Sequence, residues 1–334
     1  FDGVRKNSLA ATLIPWRNGP PTSLDKFYRE HGYMPALRPG EPETVTEVHA
    51  FERRQAVAVT LENSYDDWCI AQLARVLGRD ADRELFLKRA AFYKHLYRAD
   101  PGFMWPKDSA GNWIEPFDPK FSGGMGGRDF TTENNAYTYN WSVAHDLAGL
   151  VELMGGQPAA EARLDELFRA DLGRSKYEFF SVFPDSTGMV GQYTMGNEPS
   201  FVTPYIYNHL GAPWKTQKRV RQLLEAWFTD TYLGIPGDED GGGMSAFVVF
   251  SMMGIYPVVP GVPVYEMGSQ VFPKVTIRLS NGRKLRLLAN QTSHDHKYIS
   301  SLKLNGKAQN QLWFRQADVL EGLTVTAEMS RTPN

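Results

Sequence analysis

Apolar positions recur at helical spacing through most of the chain and at strand spacing near its end. From about Arg53 to Leu77, residues Cys69, Ile70, Leu73, Val76 and Leu77 fall on one predicted helix face, and Gly78 stands where a C-terminal cap is wanted. A second helix is predicted from Asp82 to near Arg98, with Leu85, Phe86, Ala90 and Tyr93 inward. Further helices are predicted over 4–11, 23–30, 135–155 (broken near His145-Asp146) and 159–171, the last with Leu164, Leu167 and Phe168 inward. Pro199 to Leu210 reads as a helix with proline in its first turn, and Trp214 to Tyr232 as a strong one carrying Val220, Leu223, Leu224 and Trp227. Met244 to Met253 is apolar nearly all round and reads as buried. The proline-rich stretch 17–47 and the Gly/Pro/Trp-rich stretch 101–128 read as loop. Gly123-Gly124-Met125-Gly126-Gly127 is too glycine-rich for regular structure.

The period changes after Pro257. Val258 to Pro263 reads as a linker, and Val275-Thr276-Ile277-Arg278-Leu279 alternates. Ser280-Asn281-Gly282 and Asn305-Gly306 are hairpin signals, with partner strands at 284–288 and 298–304 and a last strand over 324–329. The chain is therefore expected to be mainly α, a helical region over 1–257 followed by a small β-sandwich over 258–334. No internal repeat or low-complexity segment interrupts it.

Composition adds little that is specific. A chain of 334 residues with 42% hydrophobic content can bury a large core, and a net charge of −2 gives no reason to expect nucleic acid or an anionic membrane as partner. No apolar run reaches membrane-spanning length. The single cysteine, Cys69, excludes an intrachain disulfide and reads as a small buried hydrophobe. The opening Phe1-Asp2-Gly3-Val4 reads as the interior of a longer protein, and no signal-peptide pattern is visible.

Candidate chemistry lies in three acidic turns: Thr131-Thr132-Glu133-Asn134-Asn135, Gly196-Asn197-Glu198-Pro199-Ser200 and Gly237-Asp238-Glu239-Asp240-Gly241. Each acid alone reads equally well as a helix cap or a solvated charge. Carboxylates on loops held by a rigid frame are also where hydrolysis is placed, and glycosidic hydrolysis needs two carboxyl groups with pKa values set apart. If the turn at 238–240 is extended, Asp238 and Asp240 point one way and Glu239 the other, so the pair can share a water or a hard cation. His145 is placed to line such a pocket, whereas His209, His294 and His296 read as structural or solvated. No zinc spacing, nucleophile elbow or phosphate loop is present.

The chain resembles glycoside hydrolase family 92 in five motifs that keep the same order. They are Tyr65-Asp66-Asp67-Trp68-Cys69-Ile70-Ala71, Thr132-Glu133-Asn134-Asn135-Ala136, Gly196-Asn197-Glu198-Pro199-Ser200, Pro213-Trp214-Lys215-Thr216-Gln217, and Pro236-Gly237-Asp238-Glu239-Asp240 with Met244-Ser245-Ala246. The resemblance covers about residue 50 to the end. It implies a calcium-dependent, inverting exo-α-mannosidase that removes terminal, α-1,2-linked mannose from glycans. It also implies an (α/α)6 barrel, incomplete at its start, that works with an N-terminal β-sandwich missing from this chain, in an extracellular or periplasmic setting. By position Glu133 matches the general acid, Asp238 and Asp240 the pair that holds and deprotonates water, and Asn197 and Glu198 the calcium region. Trp68, Asn135, Trp141 and His145 are the expected substrate-binding residues. An inverting pair is expected about 6.5–9.5 Å apart. Relatives often carry Glu-Gly-Asn-Ala-Trp-Gln where this chain has Glu133-Asn134-Asn135-Ala136-Tyr137-Thr138, and two histidines where it has Phe201-Val202, so linkage and leaving-group preference stay open. Two other readings also stay open at this stage. One is a helical-barrel glycosidase of different sugar or mannosyl-phosphate specificity, and the other is a non-catalytic carbohydrate-binding protein.

Overall fold

The structure, a computed structural model, describes residues 1–126 and 128–333. The chain divides into two compact units, Phe1–Asn197 and Glu198–Asn334. Helices dominate the first, which has only two short hairpins among its described residues, and the larger sheets lie in the second.

In the first unit α1 (Asp2–Ala10) and α2 (Ser23–His31) precede the long α3 (Ala56–Val76), against which α4 (Asp80–Ala90) packs. After a 3-10 turn at Phe92–Leu96 come a short hairpin, β1 (Tyr97–Arg98) and β2 (Phe103–Met104), and the one-turn α5 (Ala136–Tyr139). Then follow α6 (Leu147–Leu153), α7 (Gln157–Leu167), α8 (Lys176–Val182) and a second short hairpin, β3 (Met189–Val190) with β4 (Tyr193–Thr194). One core gathers Ile14, Leu24, Tyr28, Met34, Ala56, Val59 and Ile114; a smaller one gathers Ile70, Ala71 and Phe86.

Three expectations for this unit need correction. The buried residues of α3 include Val57, Val59, Leu61 and Ile70 together with small and polar ones, Ala56, Thr60, Ser64, Asp67, Ala71 and Ala74; of the predicted face Ile70 is buried, whereas Leu73, Val76 and Leu77 are exposed. Apolar spacing alone missed the polar part of the buried side because Asp67 is paired inside: its carboxylate takes Arg89 Nε at 2.8 Å and Ser8 Oγ at 2.6 Å. The 135–155 helix is in fact α5, a 3-10 turn at Ala144–Asp146 and α6. The glycine run holds one 3-10 turn, Gly124–Gly126, while Gly127 lies outside the described residues.

The second unit begins with 3-10 turns at Glu198–Ser200 and Thr203–Leu210 rather than the expected α-helix. Next comes α9 (Pro213–Trp227), whose Val220, Leu223 and Leu224 are buried as its spacing predicts. A 3-10 turn at Asp240–Gly242 leads into α10 (Gly243–Met253). Only Met244, Phe247 and Ser251 of α10 are buried and Val249 is 56% exposed, so an all-round apolar helix here is not an all-round buried one. Strand structure starts at β5 (Ile255–Tyr256) and continues through β6 (Val264–Met267), β7 (Lys274–Arg278), β8 (Lys284–Asn290), β9 (Tyr298–Leu304), β10 (Lys307–Gln309) and β11 (Trp313–Arg315); the short α11 (Gln316–Leu320) and β12 (Leu323–Ser330) end it. The five-stranded sheet runs β10-β9-β12-β8-β7 and the three-stranded sheet β11-β6-β5. Both predicted hairpins form, β7 with β8 and β9 with β10, while β12 lies parallel to β8. Leu323, Val325, Ala327 and Met329 alternate inward along β12 and meet Met267 and Phe314 of the other sheet in one core.

Candidate active site

The Glu133 turn is laid against residues 122–124. Thr131 Oγ1 donates to the Ser122 carbonyl at 2.7 Å, and a Cβ on Gly123 would come within 2.1 Å of the Asn134 carbonyl, so only glycine permits this approach. The turn thus presents Glu133 to solvent while Asn134 and Asn135 are buried beneath it. Asn197 Nδ2 donates to Glu133 Oε2 at 2.9 Å, and Asn134 Nδ2 reaches Asn197 Oδ1 at 3.5 Å. Two residues predicted for different roles, acid and metal ligand, are therefore directly bonded.

A second carboxyl belongs to this group and was missed by sequence reasoning. Glu62 on α3 is pushed up to about 7, first by the protein crowded round it and then by the charges of Asp66 and Glu133. Its side chain keeps an open edge to solvent, so the crowding is one-sided. Glu62 and Asp66 stand four apart and share a helix face, a like-charge spacing that was the available signal. Tyr139 is buried in the same surroundings, and its phenol is raised by desolvation and then by Glu62.

The predicted substrate-binding residues separate into two kinds. Trp68 and His145 come together, with ring centroids 6.3 Å apart; Tyr65 stacks on Trp68 at 5.9 Å and Tyr93 meets His145 edge-on at 5.7 Å. His145 Nε2 donates to the Ala90 carbonyl at 3.0 Å, burial lowers its pKa, and its buried Nδ1 has no hydrogen-bond partner among the described residues. Asn135 and Trp141 are buried in the packing. Asn135 Oδ1 caps α5 through Tyr137 N, its Nδ2 donates to Gln192 Oε1 at 2.8 Å, and Trp141 is 1% exposed. The cap was legible as Asn before Ala136, but a functional reading overrode it.

In the second unit, Asp238 and Asp240 are exposed, and neither side chain makes a hydrogen bond or ion pair among the described residues, while the Asp240 carbonyl accepts from Gly243 N. The loop is not extended: Glu239 is helical and Asp240 has φ +45°, so the alternation argument fails. Glu239 turns back onto α10, where Oε2 accepts from Ser245 Oγ at 3.0 Å and Oε1 from Ser245 N at 3.3 Å. That anchor holds the loop carrying the two free acids. Glu198 lies close by: a Cβ on Gly243 would sit 3.9 Å from Glu198 Cγ and 3.2 Å from Phe201.

The fit for calcium rests on the donor set. Asn197 and Glu198 offer an amide and a carboxylate oxygen, both hard ligands of the kind calcium takes, and among the described residues Asn197 Oδ1 accepts a hydrogen bond only through the 3.5 Å contact. Among the described residues no three His, Cys, Asp or Glu groups cluster to hold a metal. Any ion here would therefore draw its remaining oxygens from carbonyls, water and sugar hydroxyls.

Residues 4–331 match the glycosyl hydrolase family 92 catalytic domain. The chain belongs to that family. Among solved family 92 structures it is similar to an α-mannosidase of Bacteroides thetaiotaomicron in complex with mannoimidazole (30% identity, TM-score 0.84), covering 100% of this chain and 40% of that one. A family 92 inverting mannosidase of the same organism is 33% identical with TM-score 0.81, covering 100% of this chain and 43% of that one. An uncharacterized secreted glycosidase of Arthroderma benhamiae is 28% identical over 299 residues, 83% of this chain and 36% of that protein. The family 92 chain described here thus spans less than half the length of these relatives. Its helix-rich body followed by C-terminal sheets agrees with their catalytic domains. No helix among the described residues is long and apolar enough to cross a membrane.

Proposed function

We propose that the protein is a family 92 exo-α-mannosidase that releases terminal mannose, α-1,2-linked, from glycans with inversion. Glu133 protonates the leaving oxygen. Asp240, assisted by Asp238, takes the proton of the attacking water. Asn197 orients the Glu133 carboxyl, and the Trp68–His145 cluster supplies an aromatic wall. Calcium bound by Asn197 and Glu198 would orient sugar hydroxyls and draw off developing charge. The helices are read as part of an (α/α)6 barrel over 1–257, with 258–334 as its β-rich companion. A further N-terminal β-sandwich completes the enzyme, which acts extracellularly or in the periplasm as the secreted relative's name suggests.

The observation that carries this reading is the exposed Glu133 held by the buried Asn197, in a chain whose family relatives include mannosidases. Hydrolysis of α-1,2-mannobiose, followed by NMR with and without a calcium chelator, tests it. Release of β-mannose that stops with chelator and returns with calcium is expected. Release of α-mannose would overturn inversion, and chelator-insensitive release would overturn the metal.

A further inference from the structure

Strand alternation gives the β11–β6 pair two unlike faces. Trp313 stands opposite Glu266 and Arg315 opposite Val264, so these four side chains share one face, while Tyr265 and Phe314 point into the core. The outer face is not a plain solvated surface. Glu266 is only 8% exposed, and its carboxylate is held by His209 Nε2 at 2.7 Å and Asn208 Nδ2 at 3.0 Å. Trp313 is 37% exposed, so part of its ring is open to a ligand. Two depressions of about 280 and 350 Å³ share His209, Glu266 and Trp313. Valines wall the first, and Asn310 and Gln311 line the second.

We propose that this trough is a second carbohydrate-binding site that holds a neutral hexose unit of the glycan. None of its residues belongs to the predicted catalytic or calcium set. A pyranose has one apolar C–H face and a rim of hydroxyls. Trp313 offers a flat ring for the face, and the valine wall continues it. The rim meets amides at Asn310 and Gln311 and a carboxylate that has used two of its roughly four acceptor positions. Asn208 Oδ1, buried with no hydrogen-bond partner among the described residues, adds a further acceptor beside it. The one guanidinium of the lining, Arg315, lies 5.8 Å from the Trp313 ring, and a single guanidinium is not the cationic cluster that a phosphate or acidic sugar requires. An apolar peptide would leave Asn208 Oδ1 unpaired and bring no donor to the remaining Glu266 acceptor positions, a cost that hydroxyls avoid. The volumes sit near the lower end of ligand pockets and suit one or two sugar rings. The choice of mannose as the sugar rests on the proposed function; the site itself does not.

The test is NMR titration of the Glu133→Gln protein, which leaves the ligand unconsumed, with methyl α-mannoside, mannobiose and a panel of other neutral oligosaccharides. A saturable shift of the Trp313 indole N–H is expected. Binding read there should weaken about 10-fold or more in Glu266→Gln, while in Trp313→Phe, read at the Asn310 and Gln311 side-chain amides instead, it should stay within a few-fold of the parent. In the otherwise unaltered enzyme, Trp313→Ala should leave kcat/KM on a small aryl α-mannoside unchanged and lower it several-fold on branched mannan. A folded protein whose Trp313 indole ignores every sugar overturns the proposal, including the case where protein fills the trough. If aryl mannoside is hydrolysed while Trp313 stays silent, this inference falls and the hydrolase reading stands. If Trp313 responds and no mannoside is cleaved, the reverse holds.

Discussion

Asn197 Nδ2 lies 2.9 Å from Glu133 Oε2, and this bond ties the predicted acid to a residue that is itself 3% exposed. A buried donor fixes the rotamer of an exposed carboxyl, which otherwise samples several. Asn197→Ala removes the donor and frees the carboxyl to wander from its productive direction. A loss of about 10²-fold in kcat is expected, since misplacement of a reacting group costs on that scale. The fall should persist at saturating calcium, which separates an orienting role from a purely metal-binding one. Full recovery by added calcium would count against it.

Glu133→Gln keeps the shape and the Asn197 contact but has no proton to give. Hydrolysis of mannobiose should fall about 10²–10⁴-fold, while a dinitrophenyl mannoside, whose leaving group needs no acid, should lose far less. Equal losses on both substrates would remove Glu133 from the acid role.

Local signals in the sequence carried much of this. The hairpins at Asn281-Gly282 and Asn305-Gly306 depend on turn chemistry alone, so they were readable, as was the inward stripe of α9. The helix Lys176–Val182 was overlooked although its capping box, Ser175 with Glu178, stands in the sequence. The parallel pairing of β12 with β8 was beyond local reading, because register between distant strands is set by the shared core. Glu62 shows the same limit at the site: an acid on a helix is unremarkable until the fold brings Glu133 near it. The bend at Asp240 was hidden for another reason. A positive φ at a non-glycine residue runs against local preference and is imposed by the anchored loop.

Glu62 sets a pH dependence of stability. Its native pKa, about 7, lies above the ordinary 4.5, so between those values the folded protein keeps a proton that the unfolded chain has released. Stability should therefore fall as pH rises from about 4.5 to 7 and level off above it. Glu62→Gln removes that slope. Urea unfolding of both proteins at pH 5 and pH 7.5 checks it, and an identical slope in the two would sink the assignment.

Arg89→Ala strands the Asp67 carboxylate, which is 1% exposed and pairs with Arg89 at 2.8 Å. Burial already raises the Asp67 pKa despite Arg89, so the site does not welcome a bare charge. A loss of about 3–5 kcal/mol is expected from urea unfolding at pH 7. Replacing both residues, Asp67→Leu with Arg89→Met, should cost less than the single change, because no unpaired charge is left inside. A double variant as unstable as the sum of its parts would show that the pair contributes through something other than mutual neutralisation.

Glu239 is the one acid of its turn that is half-buried and bonded, and its work is mechanical. Its two oxygens clasp Ser245, which fixes the path of the loop between Gly237 and α10 and with it the directions of Asp238 and Asp240. Glu239→Ala opens that clasp. The stability cost should be small, about 1 kcal/mol, as for the loss of a helix cap. The catalytic cost should be larger, because the water-activating pair loses its rigid base. A kcat reduced roughly 10²-fold with only a slight shift in Tm is the expected signature. Ser245→Ala should reproduce it in part, since it removes the hydroxyl but leaves the backbone N–H to Glu239. Wild-type kcat in both variants would mean that Asp238 and Asp240 are held by something else, or that neither serves as base.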